Sequence, residues 1–169
     1  MIRVEVADLA SVDADAVVRP ATALLEPAVR HERLETLGTA RQSWSELPHN
    51  RPLDVGAAVV TTAGGLAAEF VIHAVVSSPT KPVTVEGVRQ AVRGVLLRAQ
   101  DWELRRIATP LLGRGKAELS LEDAARALVD EFAQARSAIY PDDVCIVVES
   151  ETDRSVVEAF IRSRFAYES

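Results

Sequence analysis

At 169 residues and 48% hydrophobic content the chain is long enough to bury a core without disulfides or metals, and it reads as one soluble domain over residues 1–169. A formal charge of −6 and an isoelectric point near 5.1 exclude non-specific attraction to nucleic acid or to an anionic membrane, so an anionic ligand has to be held by local geometry. Cys145 is the sole cysteine and lies in the apolar run 144–148, so an internal disulfide is excluded, an inert core thiol is expected, and a reducing cytoplasm is the expected compartment. The opening MIRVEVADLA carries no signal-peptide pattern, and no apolar run approaches the ~20 residues a membrane span needs.

Taken in order, Ile2, Val4 and Val6 alternate with Arg3 and Glu5, the period of a half-buried strand, and Asp8 stands just past its end. Asp13 and Asp15 bracket a turn. A short buried strand at 16–18 follows, expected to stop at Pro20, which has no N–H for a sheet ladder. Residues 21–26 read as loop. Pro27 suits a first helical position, and Val29, Leu34, Leu37 and Trp44 trace an apolar helical face that Gly38 weakens or breaks. Residues 56–61 and 70–76 read as two strands joined by a tight turn near Gly64 and Gly65. Thr84 is placed to cap a helix whose face is Val88, Ala91, Val92, Val95, Leu96 and Ala99. A last strand spans 144–148, and Ser150 with Asp153 opens a final helix bearing Val157, Phe160 and Ile161. Helices that separate strands in the second half point to an α/β fold, a three-layer α/β/α sandwich around a mixed central sheet.

The chain is organised around residues 105–125, RRIATPLLGRGKAELSLEDAA. Ile107 and Ala108 end a run too short for a helix and suited to a buried strand, which Pro110 closes. Gly113-Arg114-Gly115-Lys116 then supplies two residues open to positive φ, so that successive backbone N–H groups can face one concavity. Ser120 and Asp123 form a capping pattern ahead of a helix running to about Ala138. Strand, glycine loop and helix together make the layout of an anion cradle, or simply a strand-to-helix turn. It is neither a Walker loop, since Ala117 follows Lys116, nor a dinucleotide fingerprint, whose third glycine falls on Glu118. No cofactor and no metal site is expected.

Three stretches resemble the macro domain, the ADP-ribose-binding module. Residues 56–76, GAAVVTTAGGLAAEFVIHAVV, look like the family's strand–turn–strand; residues 105–125 resemble its strand, diphosphate loop and following helix; residues 4–18, VEVADLASVDADAVV, look like its first strand, adenine-reading Asp and second strand. The resemblance implies that Asp8 accepts a hydrogen bond from an adenine amino group with Leu9 beside the ring. It implies further that Gly113, Arg114, Gly115, Lys116 and Ala117 wrap a diphosphate, backbone N–H groups first and the two cations in support. His73 falls on a position usual in the family's fourth strand and is expected to be structural.

The other binding loop departs from the family. Catalytic members carry Asn-x-x-Asn, then glycines, then often an Asp; the corresponding positions here are Arg19-Pro20-Ala21-Thr22, then Glu26-Pro27-Ala28-Val29, then Arg30. Thr22 stands at the distal-ribose position with one hydroxyl in place of an amide. Pro27 deletes a donor, and Glu26 repels phosphate if it faces one. Ala117 replaces a ribose-stacking aromatic. Lys81 lies near the place of a lysine used by some members, without its partner Asp. With no residue at these positions able to activate water, no catalytic residue is expected. The expected function is therefore non-catalytic binding of ADP-ribose, of a related nucleotide or phosphate ligand, or of an ADP-ribosylated protein. Two alternatives stand beside it: a protein-interaction scaffold with a filled pocket, and an ADP-ribosyl hydrolase with displaced groups.

Overall fold

The computed structural model describes residues 1–28, 32–39, 51–114 and 119–166. Six strands form one mixed sheet in the order β1-β6-β5-β2-β4-β3: β1 (Ile2–Val6), β2 (Ala16–Thr22), β3 (Ala58–Thr62), β4 (Phe70–Ser77), β5 (Arg106–Thr109) and β6 (Asp143–Val148). All neighbours run parallel except β3, which pairs antiparallel with β4 at the edge.

The alternation along each strand divides two cores. Ala16, Val18, Ile72, Ala74, Ile107 and Ile146 face α2 (Val85–Asp101), α3 (Leu121–Gln134) and α4 (Glu151–Phe165), which supply Val92, Leu128 and Val157. Val17, Val71, Val75, Ala108, Cys145 and Val147 face the other way, toward Leu34 of α1 (Glu32–Thr39) and Leu9 of a one-turn 3-10 helix (Leu9–Ser11). Helices on both faces of a mixed sheet are the expected three-layer sandwich. Among the described residues no helix is long and apolar enough to cross a membrane.

The capping chemistry read from sequence holds. Thr84 Oγ1 accepts from Gly87 N at 2.9 Å, and Ser120 and Ser150 accept from Asp123 N and Asp153 N at 3.1 Å each. Each such cap contributes about 1 kcal/mol to its helix.

Four local expectations are corrected. First, β2 does not stop at Pro20 but runs on to Thr22. Its pairing with β5 covers only Ala16 and Val17, so Pro20 lies where no donor toward β5 is required, and its carbonyl accepts from Ala28 N at 3.1 Å instead. Second, Pro27 does not begin a helix; it forms an antiparallel bridge with Ala21, and α1 begins at Glu32. Third, β3 and β4 are joined by residues 63–69 rather than a tight turn, because Ala63 N bonds to Glu69 O at 3.0 Å and closes a wider loop. Fourth, α3 ends at Gln134, where Ala135 N bonds back to Glu131 O at 3.2 Å. The expected helical face at Val29 and Trp44 lies outside the described residues.

Candidate functional site

The topology nominates one end of the sheet. From β2 the chain goes toward β3 and β4; from its neighbour β5 it goes toward β6, in the opposite direction. Adjacent parallel strands with diverging exits leave a crevice beyond their carboxyl ends, which is where open α/β sheets bind ligands. The walls here are the segment after β5, which includes Gly113, and the end of β2 at Thr22 with the segment that follows it. Asp8 leaves β1 on the same edge, two strands from β5, about 10 Å at ordinary strand spacing.

On the β5 side the chain turns sharply at Gly113, with φ +88. A Cβ there would lie 2.7 Å from Val88 Cγ2 and 2.9 Å from Leu119 Cδ1, so both the dihedral and the packing demand glycine. Gly113 O accepts from Leu119 N at 3.0 Å, and Arg114 Nη1 donates to Leu119 O at 3.1 Å. These two bonds tie the base of the loop. Arg114 thus spends one donor on its own loop. Gly115, Lys116 and Ala117, also named from sequence, lie outside the described residues, as does Glu118.

The β2 side is closed on itself. Thr22 N donates to Glu26 O and Leu25 N to Thr22 O, both at 2.8 Å, while Glu26 N donates to the Thr22 hydroxyl at 3.3 Å. Ala23 N bonds to Ser77 O at 2.8 Å and Ala28 N to Pro20 O at 3.1 Å. The Thr22 oxygen therefore serves its own turn. Leu25 adopts a left-handed φ of 61 and is buried at 2% exposure.

Beneath this turn lies a network that the sequence reading did not single out. Arg19, 4% exposed, donates from Nε and Nη2 to the two carboxylate oxygens of Glu35 on α1, at 2.7 and 3.2 Å. Its Nη1 reaches Leu25 O at 2.9 Å and His73 Nδ1 at 3.1 Å. A guanidinium has only donors, so Nδ1 must accept, and the proton of His73 sits on Nε2. That Nε2 donates to Thr61 Oγ1 at 2.8 Å, and Thr61 Oγ1 in turn donates to Thr62 O at 3.1 Å. Burial, and then the charge of Arg19, push the His73 pKa down to about 3. The histidine is a neutral structural link, as expected. The available signal was an arginine inside the apolar run 16–21, which needs a buried partner.

At the third position, Asp8 Oδ1 caps the 3-10 helix by accepting from Ala10 N at 3.0 Å, and Oδ2 is ion-paired with Arg33 of α1. Arg33 also donates to Ser11 Oγ at 3.3 Å. Leu9, at 5% exposure, belongs to the core. A hollow of 330 Å³ lies beside Asp8, bordered by Arg3, Glu5, Ser11, Asp13 and Arg106. A larger one of 570 Å³ lies at the opposite, amino end of the strands, lined by Met1, Asp15, Arg105, Arg106, Asp142 and Asp143; among the described residues the buried Asp143 Oδ1 has no hydrogen-bond partner there and stands 3.6 Å from Arg3 Nε. There Arg105 pairs with Asp142 at 2.8 Å, and Asp15 Oδ2 accepts from Arg105 N and Arg106 N at 2.9 Å.

The macro domain family model matches residues 38–128, a span that contains β3, β4, α2, β5 and the glycine turn. The chain belongs to the macro domain family. A protein of Aquifex aeolicus is 33% identical over 162 residues, covering 94% of each chain. A longer protein of Mycobacterium tuberculosis is 33% identical over 142 residues, which is 80% of this chain and 38% of that one. Among solved structures, the Oceanobacillus iheyensis macrodomain with ADP superposes with a TM-score of 0.84 at 18% identity, covering 97% of this macro domain and 91% of that chain. A variant of the same protein with ADPR gives 0.81 at 18% identity, over 96% and 92%. At such identities the superpositions speak for the fold alone.

Proposed function

We propose that residues 1–169 act as one macro-type binding domain, without catalysis, for ADP-ribose or a related nucleotide or phosphate ligand. The observation that carries this reading is the pairing of loops at the β5/β2 switch point. A glycine-dependent turn at Gly113 opens one wall, while the other wall is held shut by its own hydrogen bonds. Asp8, two strands away, stands at a distance a nucleoside spans from a phosphate held at Gly113. That two structural neighbours hold ADP and ADPR supports the choice of ligand class.

Hydrolysis at the ribose needs a group that activates water within hydrogen-bond reach. The Arg19 guanidinium is buried on Glu35 and His73, the Thr22 hydroxyl serves Glu26 N, and His73 is fully buried as a neutral donor to Thr61. Arg19 and His73 are shut away from water, and the half-buried Thr22 oxygen already accepts from Glu26 N. A protein-interaction scaffold is the second reading, and the Asp8–Arg33 ion pair favours it, because the carboxylate already has a partner.

Thermal shift and product assays test this directly. ADP-ribose at hundredfold excess over its dissociation constant raises stability by about 2.7 kcal/mol. Incubation with mono-ADP-ribosylated protein releases no ADP-ribose above buffer. Turnover that disappears in a Lys81→Ala variant would establish the hydrolase reading in its place.

A further inference from the structure

We propose that the free edge of β1 is a self-pairing interface, along which two copies of the chain join antiparallel about a two-fold axis at Val4 and merge their sheets.

Among the described residues β1 has β6 on one side and no strand on the other. Met1 O accepts from Val144 N at 2.8 Å and Ala7 N donates to Val148 O at 3.3 Å, so Met1 and Ala7 turn their backbone groups toward β6. Bonding residues alternate along a strand. Arg3 and Glu5 therefore face β6 as well, which leaves the N–H and C=O groups of Ile2, Val4 and Val6 on the free edge. Such a row is a template for another strand.

The residues of β1, IRVEV, specify which strand. Paired antiparallel about Val4, a second copy sets Ile2 against Val6, Val4 against Val4 and Arg3 against Glu5. The apolar pairs are the ones that exchange N–H···O bonds, since their backbone groups point outward. Arg3 and Glu5 fall at the closer positions between them, where opposite charges stabilise. These side chains are 36% and 47% exposed and already contact each other within their own strand, so two copies complete an alternating ring of arginines and glutamates. Val6, 40% exposed in the single copy, is covered by Ile2 of the second. Sliding the pairing one step along the pleat brings Arg3 against Arg3 or Glu5 against Glu5, so charge fixes the register. Charges of one sign guard an edge against any strand; opposed signs in this order favour the same strand reversed. In the pair, the two crevices open at opposite ends of the joined sheet, and each copy binds ligand on its own.

Sedimentation velocity on the full chain, from low to high micromolar concentration, tests this. The wild type should pass from monomer to dimer. Glu5→Arg and, separately, Arg3→Glu set like charges opposite one another twice in each dimer, and each should weaken dimerisation at least about tenfold. Combining the two substitutions restores opposite charges and should restore the dimer. A wild type that stays monomeric throughout would overturn the proposal and leave the edge to a strand of another protein. A dimer indifferent to both single reversals, or one not recovered by the combination, would overturn it equally by placing the interface elsewhere.

Discussion

His73 is 0% exposed and its nitrogens have fixed roles, Nδ1 accepting from Arg19 and Nε2 donating to Thr61. Protonating Nδ1 would set a cation against the guanidinium, which is why burial and Arg19 hold the pKa at about 3, far below its ordinary 6.5. The unfolded chain then takes up the proton first as pH falls. Stability from this residue is present above pH 6.5 and is lost progressively toward pH 3. The slope for one proton is about 1.4 kcal/mol per pH unit. Urea unfolding between pH 7 and 5 should show this slope, and His73→Gln should remove it; an unchanged slope would mean that the ring is protonated in the folded protein. Asp8 gives a second residue-scale expectation. Arg33→Ala should alter stability by less than about 1 kcal/mol, because the pair is exposed. It should tighten adenine nucleotides by uncovering the Asp8 acceptor, whereas Asp8→Ala should weaken them and leave inorganic phosphate binding unchanged. Equal affinity for adenine nucleotides in wild type and both variants would remove Asp8 from the site.

Among elements, β2 shows where sequence patterning stops being informative. Apolar residues 16–18 announced the strand, but Pro20 suggested an early end. The proline is tolerated because β5 pairs only with Ala16 and Val17, a fact of sheet order rather than of local sequence. Arg19 could be flagged as needing a partner, but Glu35 and His73 are 16 and 54 residues away and meet it only in the folded chain. By contrast, the caps of α2, α3 and α4 were legible, since Thr84, Ser120 and Ser150 act on neighbours three residues on. The glycine turn was legible at Gly113 through its φ requirement, while the bonds that tie its base depend on Leu119. Removing Arg19 as Arg19→Met takes one donor from Leu25 O and His73 Nδ1 and the guanidinium from Glu35; the cost should be roughly 2–4 kcal/mol. Helix α2 offers an independent test. A Cβ on Gly94 would lie 2.3 Å from Gly56 O, so Gly94→Ala must push the helix off the segment leading into β3. Thermal unfolding should register roughly 1–3 kcal/mol of destabilisation. A neutral outcome would mean that this close approach is not maintained in solution.

For the whole molecule, sheet order settles where function sits. Parallel strands β1, β6, β5, β2 and β4 send Asp8, Gly113 and Thr22 to one edge, and the exits of β5 and β2 diverge there. The opposite end has the larger hollow, where Arg105 is paired with Asp142 and Asp15 accepts from the backbone of Arg105 and Arg106, while the buried Asp143 Oδ1 is left without a hydrogen-bond partner among the described residues. The two walls of the switch point are unequal, one depending on glycine and the other sealed over a buried arginine. The measurement that bears on this most directly is an amide-resolved NMR titration with ADP-ribose. Shifts should concentrate at Leu112–Arg114 and at Asp8–Ala10, be small across Ala23–Glu26, and be absent at Arg105, Arg106 and Asp142. Saturating ADP-ribose that moves no amide at Leu112–Arg114, or that moves chiefly those at the amino end of the strands, would contradict the account.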